Sequence, residues 1–152
     1  MIGIIVAEEK ELKEVLKLVD SSEVINIYEK EFYKGFINDK EVVVVKSNVG
    51  KVNSSRVCQI LIDRFNPSLV INVGTAGSVD NKLDIGDVVV ADRLVQYDFD
   101  VTPFGRKLGE IENKINEYQL AFNEIESAVI KDKKTIKHIV RTFLEKKDFE
   151  NV

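Results

Sequence analysis

Three carboxylates, Glu8, Glu9 and Glu11, follow directly on the apolar run Ile2-Gly3-Ile4-Ile5-Val6. A carboxylate at the mouth of a crevice can accept a proton from water or from a sugar hydroxyl, which is general-base chemistry. The same acids in the first turn of a helix compensate its positive end, and position alone leaves both roles open. The second stretch with chemical potential is Gly74-Thr75-Ala76-Gly77. Its backbone N–H groups, one hydroxyl and small side chains would let a flat base or a sugar approach closely. A tight strand-to-loop turn asks for the same glycines, so composition does not decide between the two. Lys51, at the start of a predicted helix, can meet an anion or simply be solvated.

Other chemistries lack their parts. With one cysteine, Cys58, and one histidine, His138, the chain can build neither an internal disulfide nor a Cys/His zinc cluster, and a reducing cytoplasm is the expected compartment. Gly50-Lys51 is followed by Val52 and lacks the upstream glycine of a Walker loop, while Gly74 and Gly77 do not form GxGxxG. ATP and NAD are therefore disfavoured, and no cofactor is expected. No Ser-His-Asp arrangement is supported by order or spacing. Lysine plus arginine (22) against aspartate plus glutamate (26) leaves a net charge of −4, with no general pull toward nucleic acid or anionic lipid. The N-terminal apolar run has no basic flank and meets Glu8 after seven residues, unlike a signal peptide or a membrane span.

The elements that must position these groups follow from hydrophobic pattern. Ile2–Val6 is branched and apolar on both faces, as in a buried central strand. Leu12, Val15, Leu16 and Val19 have the spacing of an amphipathic helix over Glu8–Val19. Glu31–Ile37 and Glu41–Lys46 read as a hairpin across Asn38-Asp39-Lys40. A second helix is expected over Lys51–Phe65, ended by Pro67, then strands at Leu69–Val73 and Asp87–Ala91. From Arg106 onward about two residues in five are charged, and Ile136, Ile139, Val140 and Phe143 mark a further helix over about 132–146. Strands alternating with helices predict an α/β sheet, whose ligand crevice lies beyond the carboxyl ends of its strands. The segments after Val6, Lys46 and Val73 should converge there.

Together these stretches resemble the 5′-methylthioadenosine/S-adenosylhomocysteine nucleosidases of the nucleoside phosphorylase-like superfamily. The resemblance is carried by Ile2–Ile5 with its acidic helix, Lys46-Ser47-Asn48-Val49-Gly50-Lys51-Val52, Ile71-Asn72-Val73-Gly74-Thr75-Ala76-Gly77, Leu83–Val90 and Asp100-Val101-Thr102-Pro103-Phe104-Gly105. It implies a three-layer phosphorylase/hydrolase-like α/β fold with a mixed central sheet, and hydrolysis of the bond between adenine and a 5′-thio-substituted ribose without metal or cofactor. It also implies that Glu11 activates the attacking water, that Thr75, Ala76 and Gly77 lie along the nucleoside, and that Val49 packs in the pocket. Glu8 stands beside the 5′ substituent, where the family pattern has an apolar residue. Val101 and Phe104 are expected to reach across a homodimer interface toward the 5′-alkylthio group.

The resemblance further implies a later methionine–glutamate pair on the ribose hydroxyls and a Ser-Asp motif that protonates adenine. The 152 residues contain no methionine after Met1 and no Ser-Asp pair. Residues 1–152 are therefore expected to form one incomplete, C-terminally truncated domain, impaired as a catalyst on its own. A phosphate-dependent nucleoside phosphorylase and a non-catalytic nucleoside-binding or dimerising remnant are the competing expectations.

Overall fold

The computed structural model describes residues 1–78, 81–91, 93–95, 98, 100–107 and 117–119. The helix expected at 132–146, with His138, lies outside the described residues. Ile2–Val6 forms β1, Glu9–Leu16 α1, and Asp20–Ile27, Lys30–Ile37 and Lys40–Lys46 form β2, β3 and β4. Lys51–Phe65 is α2 and Leu69–Val73 is β5, followed by the short β6 (Arg93–Val95) and β7 (Glu117–Gln119), which pair with each other.

The main sheet has the order β2-β3-β4-β1-β5. β2, β3 and β4 are antiparallel neighbours, whereas β1 runs parallel to both β4 and β5. The mixed sheet is the one expected. Its strands alternate their side chains between two buried faces, which explains why β1 and the Val42–Val45 run of β4 are apolar. Ile4, Val6, Val42, Val44, Ile71 and Val73 pack with Leu12 and Val15 of α1. Ile5, Val43, Val45 and Phe32 pack with Val57 and Leu61 of α2 on the other face. Helix, sheet and helix thus make three layers. α2 ends at Asn66, in the left-handed region (φ 46°), with Pro67 next in sequence.

Three expectations need correction. The hairpin is the second half of a three-stranded meander, because Asp20–Ile27 is also a strand. β2 lies at the sheet's edge, is exposed at most positions and carries an irregularity between Asp20 and Glu23, so its sequence lacks a buried-strand pattern. Helix α1 stops at Leu16 rather than Val19. The N–H groups of Leu18 and Val19 bond three residues back, to Val15 and Leu16, and Val19 reaches the α1-side core from beyond the helix. Asp87–Ala91 is not a strand; it holds a single bridge residue, Val89. Asp87 is spent on closing a turn, its N–H bonding Asp84 O at 3.0 Å and its carboxylate accepting from Asp84 N at 2.8 Å.

Parallel pairing places the carboxyl ends of β1, β4 and β5 together, with Val6 opposite both Lys46 and Val73. The seating of β1 on α2 depends on Gly3, where an added Cβ would lie 2.5 Å from Cδ2 of the fully buried Leu61. Gly3→Ala should overpack this contact and cost about 1–3 kcal/mol. The measurement is the midpoint of chemical denaturation, and an unchanged midpoint would mean that Leu61 has room to turn.

Candidate active site

Beyond Val6 the chain turns directly into α1, and Glu11 occupies the third position of that helix. A glutamate there can reach back to the free N–H groups that every helix start leaves unpaired. Glu11 does so with one oxygen: Oε2 accepts from Ala7 N and from Glu8 N, both at 2.9 Å. Its other oxygen crosses to the loop after β5, where Oε1 accepts from Thr75 N at 2.9 Å and meets the Thr75 hydroxyl at 3.4 Å. Three backbone donors from two elements therefore fix the carboxylate between the ends of β1 and β5. Gly74 is needed for this approach. Its φ is not positive, but a Cβ there would lie 2.8 Å from Glu11 Oε1. The glycine thus makes room for the carboxylate, a reason different from the tight turn its neighbours suggested.

The loop after β4 is joined to the same end. Ser47, buried, bonds Val6 O through its N–H (2.8 Å) and its hydroxyl (3.2 Å), and the hydroxyl also lies 2.7 Å from Asn48 O. Asn48 (φ 73°) and Gly50 (φ 106°) then turn the chain sharply into α2. Val49, between them, is 67% exposed and lines an open cleft of about 390 Å³ with Ala7, Glu8, Glu9, Lys46 and Asn48. Glu9 binds Lys46 Nζ across the cleft at 2.5 Å, and this contact holds the Glu9 carboxyl below its ordinary range. Nearby on β3, the Tyr33 hydroxyl donates to Glu31 at 2.6 Å; that bond, with burial and the charges of Glu31 and Glu9, pushes the phenol up to about 12.

The expected residues thus fall into three groups. Glu11 and Thr75 touch, and Ala76 and Gly77 continue the loop that begins at Thr75. Glu8 and Val49 face the neighbouring cleft. Val101 and Phe104 belong to a single 3-10 turn, in which Phe104 is 83% exposed. Lys51, left open between anion binding and solvation, meets a carboxylate of its own chain: Nζ lies 2.5 and 2.6 Å from the two oxygens of Asp98. That contact holds the Asp98 carboxyl below its usual range. Sequence reasoning missed Lys46 and Asn48 as cleft residues. Lys46 ends a strand, and only the register with Val6 brings it beside α1. Among the described residues, no three His, Cys, Asp or Glu side chains converge as metal ligands, and no helix is long and apolar enough to cross a membrane.

Gly74→Ala should push the Glu11 carboxylate off Thr75. The Thr75 amide proton resonance is expected to move upfield as its hydrogen bond lengthens. An unmoved resonance would show that the carboxylate can slide without losing its partner.

A family model described as the phosphorylase superfamily matches residues 1–145. The 5′-methylthioadenosine/S-adenosylhomocysteine nucleosidase of Staphylococcus saprophyticus is 43% identical over 111 residues, 73% of this chain and 49% of the relative. The crystal structure of an S-adenosylhomocysteine nucleosidase from Streptococcus pyogenes, in complex with 5-methylthiotubericidin, superposes with a TM-score of 0.77 at 39% identity, covering 82% of this chain and 52% of that one. A futalosine hydrolase of Helicobacter pylori superposes with a TM-score of 0.75 at 34% identity, over 83% and 55% of the two chains. The chain spans about half the length of the curated relatives it matches. The mixed sheet is thus matched in sequence and in shape by 5′-methylthioadenosine/S-adenosylhomocysteine nucleosidases, and the chain belongs to the phosphorylase superfamily.

Proposed function

We propose that the protein hydrolyses the N-glycosidic bond of a 5′-thio-substituted adenosine, releasing adenine and the 5′-thio-ribose, with Glu11 activating the attacking water. The observation that carries the proposal is the Glu11 carboxylate, held through both oxygens by the N–H groups of Ala7, Glu8 and Thr75. A carboxylate offers about four acceptor positions. Strong bonds fill three of them, and the fourth meets only the long Thr75 hydroxyl contact at 3.4 Å. A water hydrogen-bonded there would give a proton to Oε1 as its oxygen forms the bond to the anomeric carbon. The bond to adenine breaks with its electron pair passing to the base, which takes a proton from solvent, and Glu11 then returns its proton to solvent. The Thr75-Ala76-Gly77 loop lies along the nucleoside in this arrangement, with Val49 at the rim.

The same geometry favours water over phosphate. The backbone donors that a phosphate would seek at the end of β1 are already occupied by Glu11, and Glu8 and Glu11 would repel a second anion. The proposal includes a homodimer and a cytoplasmic setting. The exposed Phe104 is the kind of apolar side chain that a second copy would cover, carrying Val101 and Phe104 toward the 5′ group of the partner's substrate.

The test is adenine release from methylthioadenosine, followed by chromatography with and without phosphate. Release should not require phosphate, should yield free methylthioribose, and should fall by about 10²–10⁴-fold in Glu11→Gln. Phosphate-dependent formation of a ribose 1-phosphate would establish a phosphorylase instead. Adenine binding without turnover would establish a non-catalytic nucleoside-binding protein.

A further inference from the structure

Among the described residues, Ser47 is the one polar residue that is buried, and it stands two positions beyond the valine run Val42–Val45. A hydroxyl taken out of water costs free energy unless it is hydrogen-bonded, so its presence here asks for partners. It has two, and both are main-chain carbonyls. Oγ lies 2.7 Å from Asn48 O and 3.2 Å from Val6 O. One hydroxyl proton thus serves oxygens from two segments, the end of β1 and the loop after β4. The Ser47 N–H adds a second bond to Val6 O at 2.8 Å. From β3, Lys30 Nζ donates to Ser47 O at 3.3 Å, so that the residue is itself held through its N–H, its hydroxyl and its carbonyl.

The carbonyl of Val6 and the N–H of Ala7 are two ends of one planar peptide group. Ser47 holds the first end, and the second donates to Glu11 Oε2 at 2.9 Å. We propose that Ser47 is a positioning residue for Glu11, acting through this peptide: it fixes the plane of the Val6–Ala7 group, and the Ala7 N–H aims the carboxylate. The inference rests on the nucleosidase function proposed above and gives its water-activating group a support on a third segment of the chain. Because the group is planar, any turn that takes Val6 O off Ser47 also swings the Ala7 N–H off Glu11. Donors at the carbonyl polarise the amide as well, which strengthens its N–H as a donor. Without the hydroxyl, Val6 O keeps the Ser47 N–H and Glu11 keeps Glu8 and Thr75, so the carboxylate is misaimed rather than released. The alternative role for the hydroxyl is to hold only the turn at Asn48, whose φ is 73°. That role would leave Ala7 where it is.

The experiment is Ser47→Ala, read in two ways. The amide proton resonance of Ala7 should move upfield while those of β5 stay in place. For adenine release from methylthioadenosine, kcat should fall about three- to tenfold, the worth of one hydrogen bond, with KM little changed. The same substitution made in Glu11→Gln should cost nothing further, because residues that act through one another do not add. An unmoved Ala7 resonance would overturn the proposal, and so would movement of the β5 amides along with it, which marks general loosening. An equal fall in kcat with and without the Glu11 carboxylate would overturn it too. If the unaltered protein releases no adenine, the nucleosidase reading fails, and the Ala7 resonance alone decides whether Ser47 positions the Glu11 carboxylate.

Discussion

A carboxylate that must hold one position at a protein surface needs partners from more than one element, because a side chain fixed only by its own helix moves with that helix's end. Glu11 has such partners: two N–H groups from the turn between β1 and α1, and one from the loop after β5. These elements meet because β1 lies between β4 and β5 and runs parallel to both. The two-sided core, with α1 on one face and α2 on the other, secures that arrangement. Both Gly3 and Gly74 are sites where a methyl group would separate what the fold brings together, one in the core and one at the carboxylate.

The electrostatics of the strand ends follow from the same pairing. The carboxylates and lysines there would repel or attract indiscriminately if they were free. Instead Glu9 is matched to Lys46 and Glu11 to backbone dipoles. Charge-assisted bonds of this kind are stronger than neutral ones and hold direction as well as distance. Lys51 and Asp98 do the same at the start of α2, tying the helix to the stretch that leads into the Val101–Phe104 turn.

Most of this scaffold was legible in the amino-acid sequence where burial dictated it. β1, α2 and β5 have the bounds their apolar runs and punctuation predict. The two hairpin turns show where legibility fails. Both have two residues at positive φ, but one is Asn38-Asp39, a pair suited to that region, and the other is Tyr28-Glu29, which is not. β2, polar and at the edge, was hidden behind the second turn. For the site, three clustered glutamates were visible but not their division of labour. The spacing from Glu8 to Glu11, helix start to third residue, is the signal that singles out Glu11, because a side chain there can return to the N–H groups of the turn. No comparable signal marks Lys46, whose partner Glu9 is 37 residues away and meets it through sheet register alone.

The account stands on the shared hold of one carboxylate on three amides, and native-state hydrogen exchange of those amides tests it directly. The amides of Ala7, Glu8 and Thr75 should be protected in the unaltered protein and should lose protection together in Glu11→Ala, while the amides within β1 and β5 keep theirs. Thr75 exchanging at the same rate in both proteins would contradict it, because the end of β5 would then be held in place without Glu11.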